Sequence, residues 1–265
     1  MTASRQRVVV FDLDETLGSF VELGMFWDAV KSIDARTDER EQLFAILDMF
    51  PEFIRPNMHE TLEYLRRKKI SGKCSGVMIY TNNQGDRSWA DDIAAYFNAR
   101  MGYELFDQVI AAFRVRGKIV ETCRTSHAKS VQDFLRCTSL PSGTRLCFLD
   151  DQYHPLMEED SVYYINIKPF TASMPFAEMA TRYYDIMRPT AHKQRFISDV
   201  VALMSEHAYT PVVVDDNEKR VDLLVSKQML VHIKEFMRGS TTGTVRRKPR
   251  SRDTRRPRTR RRGNI

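Results

Sequence analysis

The 265-residue chain has no run approaching the eighteen or so apolar residues that cross a membrane. Met1 to Arg7 is short and polar, without the apolar core and small-residue cleavage site of a signal peptide. Neither end carries a lipidation motif. These absences point to a soluble, intracellular protein, nuclear or cytoplasmic, with no membrane partner. Cysteine is sparse too. Cys74, Cys123, Cys137 and Cys147 match no Cys-x-x-Cys or Cys/His zinc spacing. In an intracellular chain they are expected as free, mostly buried thiols. The six histidines stand at no metal-ligand spacing, so each reads as structural or exposed. No internal repeat is present.

What the chain does have is apolar matter for a core, 42% hydrophobic against 29% charged residues. The length suits one large domain, or a domain with a small appendage. The net charge of +6 misleads as an average. Residues 246–262 hold eleven Lys or Arg and one Asp, which leaves 30 bases against 34 acids elsewhere. A mildly acidic body therefore carries a cationic tail. From Gly239 onward the composition is too poor in apolar residues to fold, so 239–265 is expected to be disordered. Such a tail suits nucleic acid or another polyanion, nuclear import, or simple solvation. It has no aromatic residue, which argues against base stacking.

Short apolar runs recur along the body: Val8–Phe11, Val77–Tyr80, Leu146–Leu149, Val162–Ile165 and, more weakly, Val109–Phe113. Each fits a strand buried on both faces. Helical patterns lie between them. Met58, Leu62 and Leu65 share a face after Pro56, which suits a first helical turn. Trp89, Ile93, Tyr96 and Phe97 share another, with Ser88 as the expected cap. Val131, Phe134 and Leu135 mark a third. Alternating strands and helices predict an α/β fold with a three-layer parallel sheet. Residues 20–53 interrupt the rhythm with two helical patterns, one around Phe26–Ile33 and one around Leu43–Phe50 starting near Thr37 or Asp38. They read as a small helical insertion after the first strand. Residues 175–238 add helices at 176–186, 196–204 and 221–237, and a short Val212-Val213-Val214 run. The organisation expected is a core over 1–174, a helical extension over 175–238 and the tail.

The first strand ends in Asp12-Leu13-Asp14-Glu15-Thr16-Leu17. Ligands of open α/β sheets bind at the carboxyl ends of strands, where these two carboxylates fall. One carboxylate can attack phosphorus and become an acyl phosphate. The other can protonate the leaving oxygen and then take a proton from water. Asp-x-Asp-x-Thr alone arises in about 5% of chains of this length by chance, and four preceding apolar residues lower that below about 1%. Thr81 directly follows the second strand, where a hydroxyl and the next backbone N–H can bind a phosphate oxygen; alone, it reads as a strand-end cap. Lys129, near a helix start, can neutralise phosphate; alone, it reads as a surface charge. Asp150 and Asp151 end the third run, where adjacent acids repel unless a cation joins them to Asp12; alone, they read as a loop turn. Mg²⁺ prefers such oxygen ligands.

This order of motifs resembles the haloacid dehalogenase superfamily over roughly residues 5–170. The spelling from Asp12 to Leu17, Ile54-Arg55-Pro56 before a helix, and Trp89-Ala90-Asp91-Asp92 are similar to the branch of RNA polymerase CTD phosphatases and NLI-interacting-factor-like phosphatases. The resemblance implies the superfamily's Rossmann-like core. It implies Asp12 as nucleophile and Mg²⁺ ligand, and Asp14 as general acid/base that ligates Mg²⁺ through its backbone carbonyl. Thr81, Asn82 and Lys129 would bind the phosphoryl group, with Lys118 the alternative lysine. Asp151 is implied as the direct metal ligand with Asp150 in support, or the reverse. The implied activity is a Mg²⁺-dependent phosphomonoester hydrolase acting on a phosphoprotein. Two features depart from that branch. The 20–53 insertion is longer than its nearly capless members carry. Asn82-Asn83-Gln84 resembles polynucleotide 3′-phosphatases of the same superfamily, which usually have Gly where Glu15 stands. A nucleic-acid 3′-phosphatase is therefore the second reading, and a catalytically weak nucleic-acid-binding scaffold the third.

Overall fold

The computed structural model describes residues 6–207, 209, 211, 212 and 214–239. The cationic tail at 246–262 lies outside them, as does Val213 of the short valine run, whose flanking Val212 and Val214 have no regular structure.

Val8, Val9 and Val10 are β-branched and suited to a pleated, buried surface. They form β1 (Arg7–Phe11), and all three are fully buried. β2 (Gly76–Tyr80) and β3 (Gln108–Ile110) follow, the latter shorter than the Val109–Phe113 pattern suggests. A hairpin of β4 (Arg114–Val115) and β5 (Lys118–Ile119) stands apart from the main sheet. β6 (Arg145–Asp150) and β7 (Val162–Asn166) complete it. The order is β3-β2-β1-β6-β7, with every neighbouring pair parallel. The chain steps outward from β1 to β3, then returns to β6 on the other side of β1. Connections leaving β1 and β6 therefore diverge, which opens a crevice above the middle of the sheet. This is an α/β fold with a five-stranded parallel sheet and eight α-helices among the described residues.

Side chains alternate between the two faces. Val9, Phe11, Val77, Ile79, Cys147 and Leu149 join the larger core, with α1 (Phe20–Ile33), α2 (Glu39–Met49), α3 (Met58–Ile70) and α4 (Arg87–Met101). Val8, Val10, Met78, Tyr80, Leu146 and Phe148 face the smaller one, closed mainly by α5 (Val131–Thr138). Helices thus cover both sides, but unequally. Two caps differ from expectation. Asp86, not Ser88, occupies the cap of α4, and Asn57 rather than Pro56 opens α3. Asp38 does cap α2, accepting from the Glu41 amide at 3.0 Å.

Both expected helices of the 20–53 insertion form. Its two ends are zipped by the Ser19 amide donating to the Phe53 carbonyl at 2.8 Å. A Cβ on Gly18 would stand 2.6 Å from that carbonyl oxygen, so the close approach needs glycine. The insertion does not stand alone. α6 (Phe176–Met187) and α7 (Lys193–Ser205) pack against it, joined by Tyr183. The Tyr183 ring meets Phe26 edge-on at 6.0 Å and stacks on Phe196 at 5.7 Å. Its hydroxyl donates to Asp34 Oδ2 at 2.7 Å and accepts from Gln42 Nε2 at 2.7 Å. Residues from both ends of the chain thus make one helical layer. α8 (Asp216–Arg238) lies against β7, where the Tyr163 hydroxyl donates to Glu235 Oε2 at 3.0 Å.

The cysteine expectation needs correction. Cys123 and Cys137 form a disulfide, with Cα atoms 5.0 Å apart; only Cys74 and Cys147 are free, and both are buried. The cause is local. α5 has only eight residues, so its last turn returns beside the loop that leads into it. No helix among the described residues is long and apolar enough to cross a membrane.

Candidate active site

The site forms where β1, β2 and β6 end. Asp12 follows β1 directly, and its amide donates to the Leu149 carbonyl at 2.8 Å, which extends the strand pairing by one residue. The chain then turns. Leu13 and Leu17 anchor the turn in the core, both fully buried, and the Leu17 amide donates to the Leu13 carbonyl at 2.9 Å. Arg55 braces it from below. Its buried guanidinium donates to the Thr16 carbonyl at 2.6 Å, the Lys168 carbonyl at 2.9 Å and the Glu15 carbonyl. Glu15 adopts φ 54°, a left-handed conformation that this bracing maintains. Ile54-Arg55-Pro56, noticed only as a resemblance, thus fixes the loop that aims Asp14.

Thr81 follows β2 and is buried. Its hydroxyl accepts from the Asn83 amide at 2.9 Å, which curls the loop and sends the Asn83 side chain to Asp14 Oδ2 at 2.7 Å. The other Asp14 oxygen, Oδ1, is buried without a hydrogen-bond partner. Asn82 turns the other way, its amide oxygen accepting from Arg124 Nη2 at 2.8 Å. Arg124 also donates to the carbonyls of Thr81 at 3.0 Å, Ala111 at 2.8 Å and His127 at 2.9 Å, while stacking over the Tyr80 ring at 4.8 Å. One buried guanidinium therefore ties the Thr81 loop to the segment that carries Lys129.

Lys129 occupies the centre. Its ammonium donates to Asp12 Oδ1 and to Asp150 Oδ2, the latter at 2.6 Å, and the side chain is 2% exposed. Lys118, the alternative, is exposed on β5. Asp150 is further held by the Gln152 amide at 2.9 Å and His154 Nε2 at 3.1 Å. Asp151 is half-buried, with Oδ1 accepting from the Thr16 hydroxyl at 3.4 Å. One carboxylate oxygen each from Asp12, Asp150 and Asp151 lie within 4.8 Å of one another.

The charges are costly to hold there. Burial pushes the Asp12 carboxyl well up, against the opposing pull of Lys129, and Asp150 and Asp14 push it further. Burial raises Asp14 as well, against the Asn83 hydrogen bond. Asp151 rises through burial and the neighbouring Asp150. Asp150 is the exception: burial opposes its charge, but Lys129 and His154 outweigh that and hold it below the usual range. Lys129 stays charged because Asp12 and Asp150 overcome its own burial. A single ammonium among these carboxylates leaves an excess of negative charge. All the donors are hard oxygens, so the set fits a divalent cation, with Asp12 and Asp151 the more open ligands and Asp150 locked in support.

Asn83, Arg124 and His154 complete this site although their types and spacing carry no motif. Asn83 lay within a noted stretch, and His154 stands four residues after Asp150. Nothing in the sequence marks Arg124. A groove of about 300 Å³ runs from Asn83 between α1 and the β2–α4 loop, past Trp27 and Trp89, to Arg116 in the β4–β5 turn. No protein-family profile, curated protein or solved structure matches the chain.

Proposed function

We propose that this protein is a Mg²⁺-dependent phosphomonoester hydrolase that acts through an aspartyl-phosphate on Asp12. The observation that carries the reading is the buried ammonium of Lys129 joining Asp12 to Asp150, with Asp14 two residues beyond Asp12. An Asp12 oxygen attacks phosphorus, and the bond to the leaving oxygen breaks as that oxygen takes a proton from Asp14. Water then attacks phosphorus and gives a proton to Asp14 while the bond from phosphorus to the Asp12 oxygen breaks, which releases inorganic phosphate and restores the Asp12 carboxylate. Burial raises the Asp14 carboxyl, which favours its protonated form and suits a group that must give a proton. Asn83 orients it. Lys129 and Thr81 bind the phosphoryl oxygens, with Asn82 beside them. Asp12 and Asp151, with Asp150 in support and the Asp14 backbone carbonyl, would hold Mg²⁺, which would supply neutralisation of the phosphoryl charge.

The resemblance to CTD and NLI-interacting-factor-like phosphatases supports a phosphoserine or phosphothreonine protein as substrate. That is analogy of motif, not of site chemistry. The test is hydrolysis of an aryl phosphate by purified protein with Mg²⁺. Turnover is expected to vanish with EDTA and in Asp12→Asn; activity surviving both would sink the mechanism. The contact between Asn83 and Asp14 gives the second reading, a nucleic-acid 3′-phosphatase, one specific support. Preference for a 3′-phosphorylated oligonucleotide over a phosphoserine peptide would favour it.

A further inference from the structure

The β4–β5 hairpin is turned by Arg116 and Gly117, at φ 49° and 78°. Two consecutive left-handed residues make the tight turn that suits a twisted hairpin, and Gly, Asn or Asp normally fill both places. Arginine at the first place strains the backbone. Its side chain is exposed, so packing does not repay that strain. Arg114 and Lys118 flank it and are exposed as well. Among the described residues none of the three side chains has an ion-pair or hydrogen-bond partner; the Arg114 guanidinium only lies over the Phe113 ring at 5.2 Å.

Exposed cations are ordinarily just solvated. Position separates these from the rest. Arg116 lines the groove of about 300 Å³ that also reaches Asn83, and Asn83 donates to the proposed general acid. Elsewhere along the groove the charges are mostly spoken for. Asp28 pairs with Lys31 at 3.3 Å, and Asp92 with Arg40 at 2.8 Å. Arg116 therefore brings unpaired positive charge to one end of a groove that otherwise offers indole edges, neutralised pairs and the exposed Asp86, and Arg114 and Lys118 add charge from the strands behind it.

We propose that the hairpin is a second anion-binding site, which reads a negatively charged group on a phosphopeptide whose scissile phosphate lies at Asp12. This rests on the phosphatase reading above. A peptide fits better than a nucleic-acid strand, because a strand carries a charge every ~3.4 Å. Its phosphates would pass Asp86, exposed in the groove wall and unpaired among the described residues. A peptide places charge at discrete points. Arg116 offers a planar fork for a phosphate or carboxylate in the groove, and Arg114 and Lys118 add longer-range positive charge from the two faces of the hairpin. A second phosphate and an Asp or Glu side chain supply the same chemistry.

The experiment is fluorescence anisotropy on the full chain with four labelled probes. Three are phosphoserine peptides bearing, a few residues away, a second phosphoserine, a glutamate or a glutamine. The fourth is a 3′-phosphorylated oligonucleotide. The second phosphate is expected to tighten binding about tenfold over the glutamine peptide, and glutamate by less. In Arg116→Asn/Lys118→Gln both ratios are expected to fall to near one. Asn suits the left-handed turn, so this variant keeps the hairpin. A ratio unchanged in the variant, or no preference in the wild type, overturns the proposal. So does a variant that loses oligonucleotide binding while its peptide ratios persist. Aryl phosphate turnover is measured in parallel. Absent turnover with an intact, hairpin-dependent ratio removes the hydrolase and leaves the anion site; intact turnover with a flat ratio does the reverse.

Discussion

At the ends of β1 and β6, two carboxylates meet one ammonium and two more stand near it; between α2 and α6, a phenol, an amide and a carboxylate converge on one another. Both clusters hold polar groups away from water, with opposite consequences. In the helical layer the charge is balanced: Tyr183 joins Asp34 and Gln42, Gln42 also donates to the Asp34 carbonyl at 2.8 Å, Arg36 pairs with Asp34, and only the neutral Gln42 amide oxygen lacks a partner. In the strand-end cluster the acids outnumber the base, Asp12, Asp14 and Asp151 are all pushed up, and Asp14 Oδ1 has no partner. A charge-balanced network stabilises; one with excess carboxylates stores cost at the proposed catalytic groups. The two regions should therefore separate stability from activity.

The largest expected effect is at Asp12. Asp12→Asn should cut turnover about ten-thousand-fold, since the proposed acyl phosphate forms on the Asp12 carboxylate. Its melting temperature without metal should be equal to or above that of the wild type, because Asn removes a buried charge and Lys129 keeps Asp150 as partner. Calorimetry beside an aryl phosphate assay checks both. A marked fall in melting temperature would mean that the cluster is structural cement. Next comes Phe26, fully buried between the insertion and Tyr183. Phe26→Ala should cost about 3–5 kcal/mol in denaturant unfolding, by lost burial and the cavity left behind. Turnover per folded molecule should hold. A parallel loss of turnover would show that the layer shapes the site directly.

Metal should reverse the sign at the strand ends. Mg²⁺ at a hundredfold excess over its dissociation constant should stabilise the folded protein by about 2.7 kcal/mol. In Asp151→Asn the gain should shrink, because the half-buried, more open ligand is gone while Asp150 stays locked by Lys129 and His154. Equal stabilisation of both proteins by Mg²⁺ would place the ion elsewhere.

The same contrast explains what was legible in the sequence. Asp12, Asp14, Thr81 and Asp150-Asp151 each end or directly follow an apolar strand, so strand pattern alone sets them at one edge of the sheet. Lys129 was marked by its place before a helix, and the fold put it, rather than Lys118, among the acids. Asn83, Arg124 and His154 reach the site through loop conformations that no periodicity encodes. The helical layer was legible only in pieces. Each helix had an apolar stripe, but the hydroxyl of Tyr183 meets Asp34 across 149 residues. Amphipathic pattern tells a helix which side to bury, not against which partner. The Cys123–Cys137 bond was hidden for the same reason, since it depends on how a short helix returns on its own loop.

The smallest effect is the most discriminating for the layer. Tyr183→Phe keeps the ring against Phe26 and Phe196 and removes only the hydroxyl. Burial pushes that hydroxyl up to about 12, against the Gln42 hydrogen bond, so it remains a donor at any working pH. Asp34 would keep the Arg36 guanidinium at 3.0 Å, and Gln42 would keep the Asp34 carbonyl. Asp34 is not stranded, but one buried Gln42 N–H loses its acceptor, so the loss should be about 1–2 kcal/mol. Turnover should not change. A loss nearer that of Phe26→Ala would mean that polar contacts, not apolar packing, clamp the insertion to α6 and α7. A change in turnover at constant stability would mean that the layer relays its geometry to the groove wall on α1, and the separation of the two regions would fail at that point.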